Sequence, residues 1–315
     1  MMTKRLAPPA WIFSHRNDPN DRRLEDCLSQ QAADYAGANI VLLGYPEDEG
    51  VRRNKGRTGA AQAPDAIRQQ LYKLVVPEHF APALFDLGNT YGDGSLEEVH
   101  RRHQDIVEAV LRDGKVLITL GGGNDLSYPD CAGLAAVESD LLAFNIDAHF
   151  DVRTDQPRNS GTPYRQLLEE KLLLPENFAE IAYEPFAASE TYLRFLREAG
   201  VQCTPREVVQ REGIAVACHP QLAKEVRAIF WGLDMDVANG AIAPGVSAVN
   251  PGGLGYQDLI DLSRLAGSDP RTRIFEITEV NPEYDTDART CRLAAMVIWH
   301  FLDAFNTQFK EINRV

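Results

Sequence analysis

The stretch NIDAHFDVR (145–153) places Asp147, His149 and Asp151 at alternate positions directly after the apolar run LLAF. In an extended chain alternate side chains share one face. Two carboxylates and an imidazole then converge where a buried strand meets solvent. Such a group is either a solvated strand end with an incidental histidine or the holder of a cation. Two further apolar runs finish the same way. IFWGLDMD (229–236) brings Asp234 and Asp236 to one face, two residues apart, and RIFEITEV (273–280) ends near Glu279. Any one of these acids reads equally well as a solvated strand end, but all of them at the carboxyl ends of buried strands point to a cation.

The run KVLITLGGGND (115–125) adds a triple glycine followed by Asn124 and Asp125. It contains neither GxGxxG nor the GK[ST] of a phosphate loop, so it does not read as a nucleotide site. It reads as a tight turn that lets backbone and the Asn124 side chain approach something closely. Oxygen-rich ligation with one imidazole and no thiolate suits Mn²⁺ above Zn²⁺. Asp147, Asp151, Asp234 and Asp236 together carry a charge that balances two divalent ions sharing bridging carboxylates. A water shared by such a pair ionises near neutral pH and attacks carbon.

The elements that must position these residues alternate along the chain. Strands are expected at 39–44, 84–88, 115–120, 141–147, 178–183, 201–204, 229–234 and 273–280. Helices are expected in PDAIRQQLYKL (64–74), in SLEEVHRRHQDIVEAVLRDG (95–114) between a Ser95 cap and a Gly114 stop, in SETYLRFLREAG (189–200), and from Asp287 to about Asn306. Continuous apolar strands separated by helices indicate a parallel sheet covered on both faces. The long irregular stretches 45–63, 150–165 and 237–254 each follow a strand's carboxyl end, where ligands bind in open α/β sheets. With no repeat or linker, residues 1–315 read as a single domain.

Composition narrows the function classes. A formal charge of −14 argues against nucleic acid or an anionic membrane surface as partner, while leaving room for an arginine-lined pocket. No run reaches the roughly 18–20 apolar residues of a membrane span, and MMTKRLAPPAWIF lacks the apolar core of a secretion signal. Cys27, Cys131, Cys203, Cys218 and Cys291 are scattered without a CxxC pair. That pattern fits free thiols in a reducing cytoplasm.

GGGND, NIDAHFD, GLDMD and EITEVNP, in this order and at these strand ends, resemble the ureohydrolase (arginase) superfamily over about residues 40–300. RRNKGRTGAAQAPDAIR (52–68), NSGTPYRQLLEE (159–170), APGVSAVNPGGL (243–254) and EVNPEYDTDARTCRLAA (279–295) are most similar to the formimidoylglutamases. The resemblance implies a three-layer α/β fold of the arginase type, with an eight-stranded parallel sheet and helices on both faces. It also implies two Mn²⁺ ions. Asp147 and Asp234 would bridge them, Asp151 and residue 124 would complete the more buried ion, and His149 and Asp236 the other. Glu279 would face the amidine-type cation of the substrate, and Asp151 would relay a proton to the leaving amine. Where the family usually has a histidine this chain has Asn124, whose amide oxygen is a neutral ligand that hard Mn²⁺ accepts. Asp125 is the alternative ligand there. In arginases the loop after the DAHFD-like motif carries a histidine thought to shuttle protons, and here Tyr164 falls near that place.

The activity implied is Mn²⁺-dependent hydrolysis of N-formimino-L-glutamate to L-glutamate and formamide, a step of histidine degradation, by a homo-oligomeric enzyme of the cytoplasm. Arg153, Arg165 and Arg57 are candidates to clamp the substrate's carboxylates in bidentate fashion, assisted by the hydroxyls of Ser160 and Thr162. The alternatives are another ureohydrolase acting on a guanidino acid and, because of Asn124, a metal-poor relic with a binding role.

Overall fold

The computed structural model describes residues 5–16, 18–77 and 79–312. Residues 1–4, where the stretch read for a secretion signal begins, lie outside the described residues. Among the described residues ten strands form, β1 (Arg5–Leu6), β2 (Leu28–Ser29), β3 (Ile40–Gly44), β4 (Leu84–Thr90), β5 (Val116–Leu120), β6 (Leu141–Ile146), β7 (Phe178–Tyr183), β8 (Gln202–Pro205), β9 (Ala228–Asp234) and β10 (Thr272–Thr278). All join one sheet in the order β1-β4-β3-β5-β10-β9-β6-β7-β8, with β2 also on β4. The eight strands from β3 to β10 are the expected ones and pair in parallel throughout. β2 joins them in parallel and β1 antiparallel, both at the β4 edge. Strands of two residues carry no period a sequence can display.

The helices are α1 (Glu49–Arg53), α2 (Ala63–Leu71), α3 (Leu96–Arg112), α4 (Ser127–Ala135), α5 (Pro163–Glu169), α6 (Glu190–Ala199), α7 (Arg206–Glu212), α8 (Ile214–Leu222), α9 (Tyr256–Ser268) and α10 (Arg289–Ile312). Successive strand residues feed opposite cores, as period two requires. Ile40, Leu42, Trp231 and Phe275 pack with α2, α7, α8, α9 and α10. Val41, Leu43, Phe230 and Ile274 pack with α3, α4, α5 and α6. Burial on both faces is why these strands read as unbroken apolar runs.

Local signals set the helix ends. Ser95 and Glu98 cap α3 reciprocally, the Ser95 hydroxyl accepting from the Glu98 N–H at 3.3 Å and the Glu98 carboxylate from the Ser95 N–H at 2.8 Å. Gly114 turns the chain away at φ 75°. α10 starts two residues later than expected and runs on to Ile312, with Phe301, Leu302 and Asn306 buried on its inner face.

The site owes its place to topology. The chain leaves β5 for β6, and only later inserts β9 and β10 between them. The carboxyl ends of β5, β10, β9 and β6 thus lie side by side at a switch point, where a crevice opens.

Candidate functional site

β6 and β9 end in the same device. Just past β6 the Asp147 carboxylate accepts the His149 backbone N–H at 2.7 Å, and at the end of β9 the Asp234 carboxylate accepts the Asp236 N–H at 2.8 Å. This corrects the expectation of alternating side chains on continuing strands. β6 stops at Ile146, Asp236 sits in a 3-10 turn, and Asp151 adopts φ 48°. An aspartate that bonds its own backbone two residues on favours a turn over extended chain. The turns nevertheless deliver the expected convergence. Asp147, His149 and Asp236 bring candidate ligand atoms within 4.8 Å of one another, as do Asp147, Asp151 and Asp234. Asp147 belongs to both groups.

His149, Asp151, Asp234 and Asp236 line the floor of a cavity of about 440 Å³, with Asp147 buried among them. The His149 Nδ1 lies 3.3 Å from both Asp147 and Asp236. No lysine or arginine pairs with the floor acids among the described residues, and the buried Asp236 Oδ1 has no hydrogen-bond donor at all. Burial, followed by repulsion from neighbouring acids, pushes the Asp151 and Asp234 carboxyls well above the usual carboxylate range. The Asp236 carboxyl is raised chiefly by burial, with His149 opposing. The Asp236 carboxylate in turn raises the His149 imidazole. A buried set of acids with one imidazole and an orphaned oxygen fits hard or borderline divalent cations.

Glu279 follows β10 at φ 62°, and its backbone N–H donates to the Gly122 carbonyl at 2.9 Å. Its carboxylate accepts the Asn124 N–H at 2.9 Å and is pushed well up by burial. The glycines let two chain segments touch. A Cβ on Gly122 would stand 1.8 Å from the Glu47 carbonyl. Asn124 lines the cavity, but its amide nitrogen faces inward, donating to Asp151 at 2.6 Å. Its oxygen accepts from the Thr278 and Ser127 hydroxyls at 2.8 and 3.0 Å. Asp125 points the other way, accepting from Tyr45 and His100, so the alternative of Asp125 as a ligand is not met.

The expected carboxylate clamps divide. Arg153 lines the cavity, and its guanidinium has no hydrogen-bond or ion-pair partner among the described residues. Arg57 also lines it, yet it is engaged. Its Nε and Nη2 donate to the carbonyls of Ser247 and Val246 at 3.0 and 2.5 Å, and it lies over the Tyr284 ring at 4.3 Å. Ser160 lines the cavity and accepts from the Asn54 amide at 3.0 Å. The structure does not bring Arg165 or Thr162 to the cavity. Arg165 pairs with Glu169 one helical turn on, at 2.5 Å, and stacks over Phe195 at 4.0 Å. The Thr162 hydroxyl donates to the Asn159 carbonyl at 2.9 Å and closes the turn before α5. Tyr164 is not at the mouth either, being fully buried against Phe178.

Sequence reasoning passed over Asn54, Lys55, Ser189, Tyr192 and Ser247, all of which line the cavity. Lys55, exposed and without a partner among the described residues, stands two positions from Arg57 in RRNKGRTG, a signal that was available. Tyr192 comes from α6, and only the tertiary fold carries it there.

A formimidoylglutamase of Cupriavidus pinatubonensis is 33% identical over 291 residues, 89% of this chain and 92% of that protein. The crystal structure of Trypanosoma cruzi formiminoglutamase with Mn²⁺₂ superposes with a TM-score of 0.86 at 30% identity, covering 91% of this chain and 99% of that one. Formimidoylglutamase from Bacillus subtilis superposes equally, at 0.86 and 25% identity over 92% and 94% of the two chains. The sequence model of the arginase family matches residues 38–303, and the chain belongs to that family.

Proposed function

We propose that the protein hydrolyses N-formimino-L-glutamate to L-glutamate and formamide with two Mn²⁺ ions. One observation carries this reading. A floor of buried acids and one histidine shares its cavity with two cations, Arg153 and Lys55, that have no partner among the described residues. The floor suits divalent metal and the cationic formimino group, and the two cations suit the two carboxylates of the glutamate end. Asp147, Asp151, Asp234, Asp236 and His149, with Asn124, would hold the ions. A half-turn of the Asn124 amide would turn its oxygen toward the cavity as a ligand, and the Ser127 and Thr278 hydroxyl oxygens can accept from the nitrogen turned toward them. Bound Mn²⁺ would supply Lewis-acid polarisation and an acidified water.

The chain's own residues do the rest. Glu279, its carboxylate held by the Asn124 N–H, faces the formimino cation and fixes its carbon over the floor. Arg153 and Lys55 hold the substrate's carboxylates, while Arg57 keeps the 246–247 backbone in place beside them. Asp151 takes the proton released on water attack and returns it to the departing amine of glutamate. The relatives named above favour the formimino substrate over a guanidino acid, and a metal-poor relic has no use for an uncompensated acidic floor. In the same reading the chain is one domain. It works in the cytoplasm as a homo-oligomer, on a step of histidine breakdown. A single continuous sheet supports the one domain, and free cysteines fit a reducing compartment.

The test is substrate choice by the Mn²⁺-loaded protein. Turnover of formiminoglutamate, with arginine and agmatine inert, is expected. Turnover of agmatine, which has no carboxylate for Arg153 to hold, would overturn the reading.

A further inference from the structure

On the far side of the glycine turn, away from the cavity, Asp125 is tied to helix α3. One of its oxygens accepts from the Tyr45 hydroxyl at 2.9 Å and from His100 Nε2 at 2.8 Å. The His100 and Asp125 side chains are 3% and 1% exposed. His100 Nδ1 has no partner, so Asp125 is the ring's one hydrogen-bond contact among the described residues. Asp125 directly follows Asn124, whose backbone N–H holds the Glu279 carboxylate and whose amide reaches Asp151. The turn has little slack. Gly122 and Gly123 donate to the carbonyls of Tyr45 and Glu47 at 2.9 and 3.0 Å, and a Cβ on Gly50 would stand 2.0 Å from the second Asp125 oxygen. Any displacement of Asp125 therefore carries the Asn124 N–H, and with it Glu279.

We propose that His100, which does not line the cavity, is a positioning residue for Asn124 and Glu279, acting through Asp125. The inference rests on the function proposed above. The same helix contains a comparison of equal burial. One turn on, His103 bonds Asp130 at 2.9 Å and Thr90 at 2.6 Å, which anchors α4 and β4 and not the turn. Two buried histidines of one helix thus have separate tasks, one holding the scaffold and one aiming the site.

The experiment measures Mn²⁺ affinity by calorimetry, KM and kcat for formiminoglutamate, and Tm, on the full chain. His100→Met is expected to weaken Mn²⁺ binding about tenfold or more, the range in which outer partners of metal ligands act, and to raise KM. His100→Gln places an amide N–H where Nε2 stands and should restore affinity to within a few-fold. His103→Gln should lower Tm and leave Mn²⁺ affinity alone. Should His100→Met fail to fold, Tyr45→Phe removes the other donor to the same oxygen and should weaken Mn²⁺ several-fold. Unchanged affinity in His100→Met, or in Tyr45→Phe where that variant carries the test, overturns the proposal, as does equal weakening in His103→Gln. A wild-type protein that binds no Mn²⁺ overturns this proposal and the function beneath it. Two bound ions with an unaffected His100→Met overturn this one alone.

Discussion

Two groups of buried acid lie in one sheet, and the chain treats them oppositely. In the first half of β4, Asp86 is wholly enclosed with Arg68, which donates to its two oxygens at 3.1 and 3.0 Å. The Gly88 N–H and Tyr72 hydroxyl supply further donors, and Arg68 also bonds Asn89 and the Gly88 carbonyl. Every charge there is answered from within the chain. At the ends of β6 and β9, Asp147, Asp151, Asp234 and Asp236 gather in two overlapping groups with one histidine between them, Glu279 after β10 lines the same cavity as His149, and one Asp236 oxygen has no donor among the described residues. Burial alone therefore does not mark function. What distinguishes the second cluster is a charge the chain does not answer, opening onto a cavity.

The sharpest way to break this contrast is to delete one acid from each cluster. Asp86→Ala strands a buried guanidinium and should cost about 3–5 kcal/mol of stability, read by denaturant melts. Asp234→Ala should leave the metal-free protein as stable as wild type or more so, since it relieves repulsion among buried acids. Its turnover should fall by more than about a hundredfold, because even outer partners of metal ligands are worth 10–100-fold. Equal destabilisation by both variants would erase the distinction.

Next in size is the mouth. Arg153→Gln should raise KM for formiminoglutamate by about tenfold or more, a charged hydrogen bond being worth about 1.5–3 kcal/mol, with kcat nearly unchanged. A fall in kcat at constant KM would move Arg153 from binding into the chemistry.

Stability against pH comes third. The Asp151, Asp234, Asp236 and Glu279 carboxyls are all raised, so between the ordinary carboxylate range and their folded-state values the native state binds more protons than the unfolded one. His149, also raised, acts in the same direction. Metal-free stability should therefore fall as pH rises above the ordinary carboxylate range. Mn²⁺ competes with those protons, so the Tm gain on loading should grow from pH 6 to pH 8.5. At a hundred times Kd the gain corresponds to about 2.7 kcal/mol. A Tm gain that shrinks with pH would contradict the ligand assignment.

The smallest effect is expected from Asn124→His, which should tighten Mn²⁺ binding while changing turnover by no more than a few-fold. Restoration of activity to an otherwise inactive protein would revive the relic reading.

Much of this was legible in the residues. The eight main strands announced themselves because each is buried on both faces, and the floor acids because they follow those strands directly. The two edge strands of two residues had no pattern to show. Loop residues were harder, since type does not give direction. Arg153 and Arg165 look alike in sequence, yet one faces the cavity and the other folds back on Glu169 and Phe195. Alternation predicted the right convergence for a wrong reason, because Asp147 and Asp234 make turns by accepting from their own backbone. The orientation of Asn124 depends on Ser127 and Thr278, the second more than 150 residues away in sequence, which no local motif reveals.

Two metal ions answering the charge on the floor, and making the protein an enzyme, are followed by titrating Mn²⁺ into the metal-free chain at pH 8.5 while reading bound metal and formamide release from formiminoglutamate together. Both should saturate at two ions per chain. Formamide release without metal, or two bound ions with no release, would contradict this.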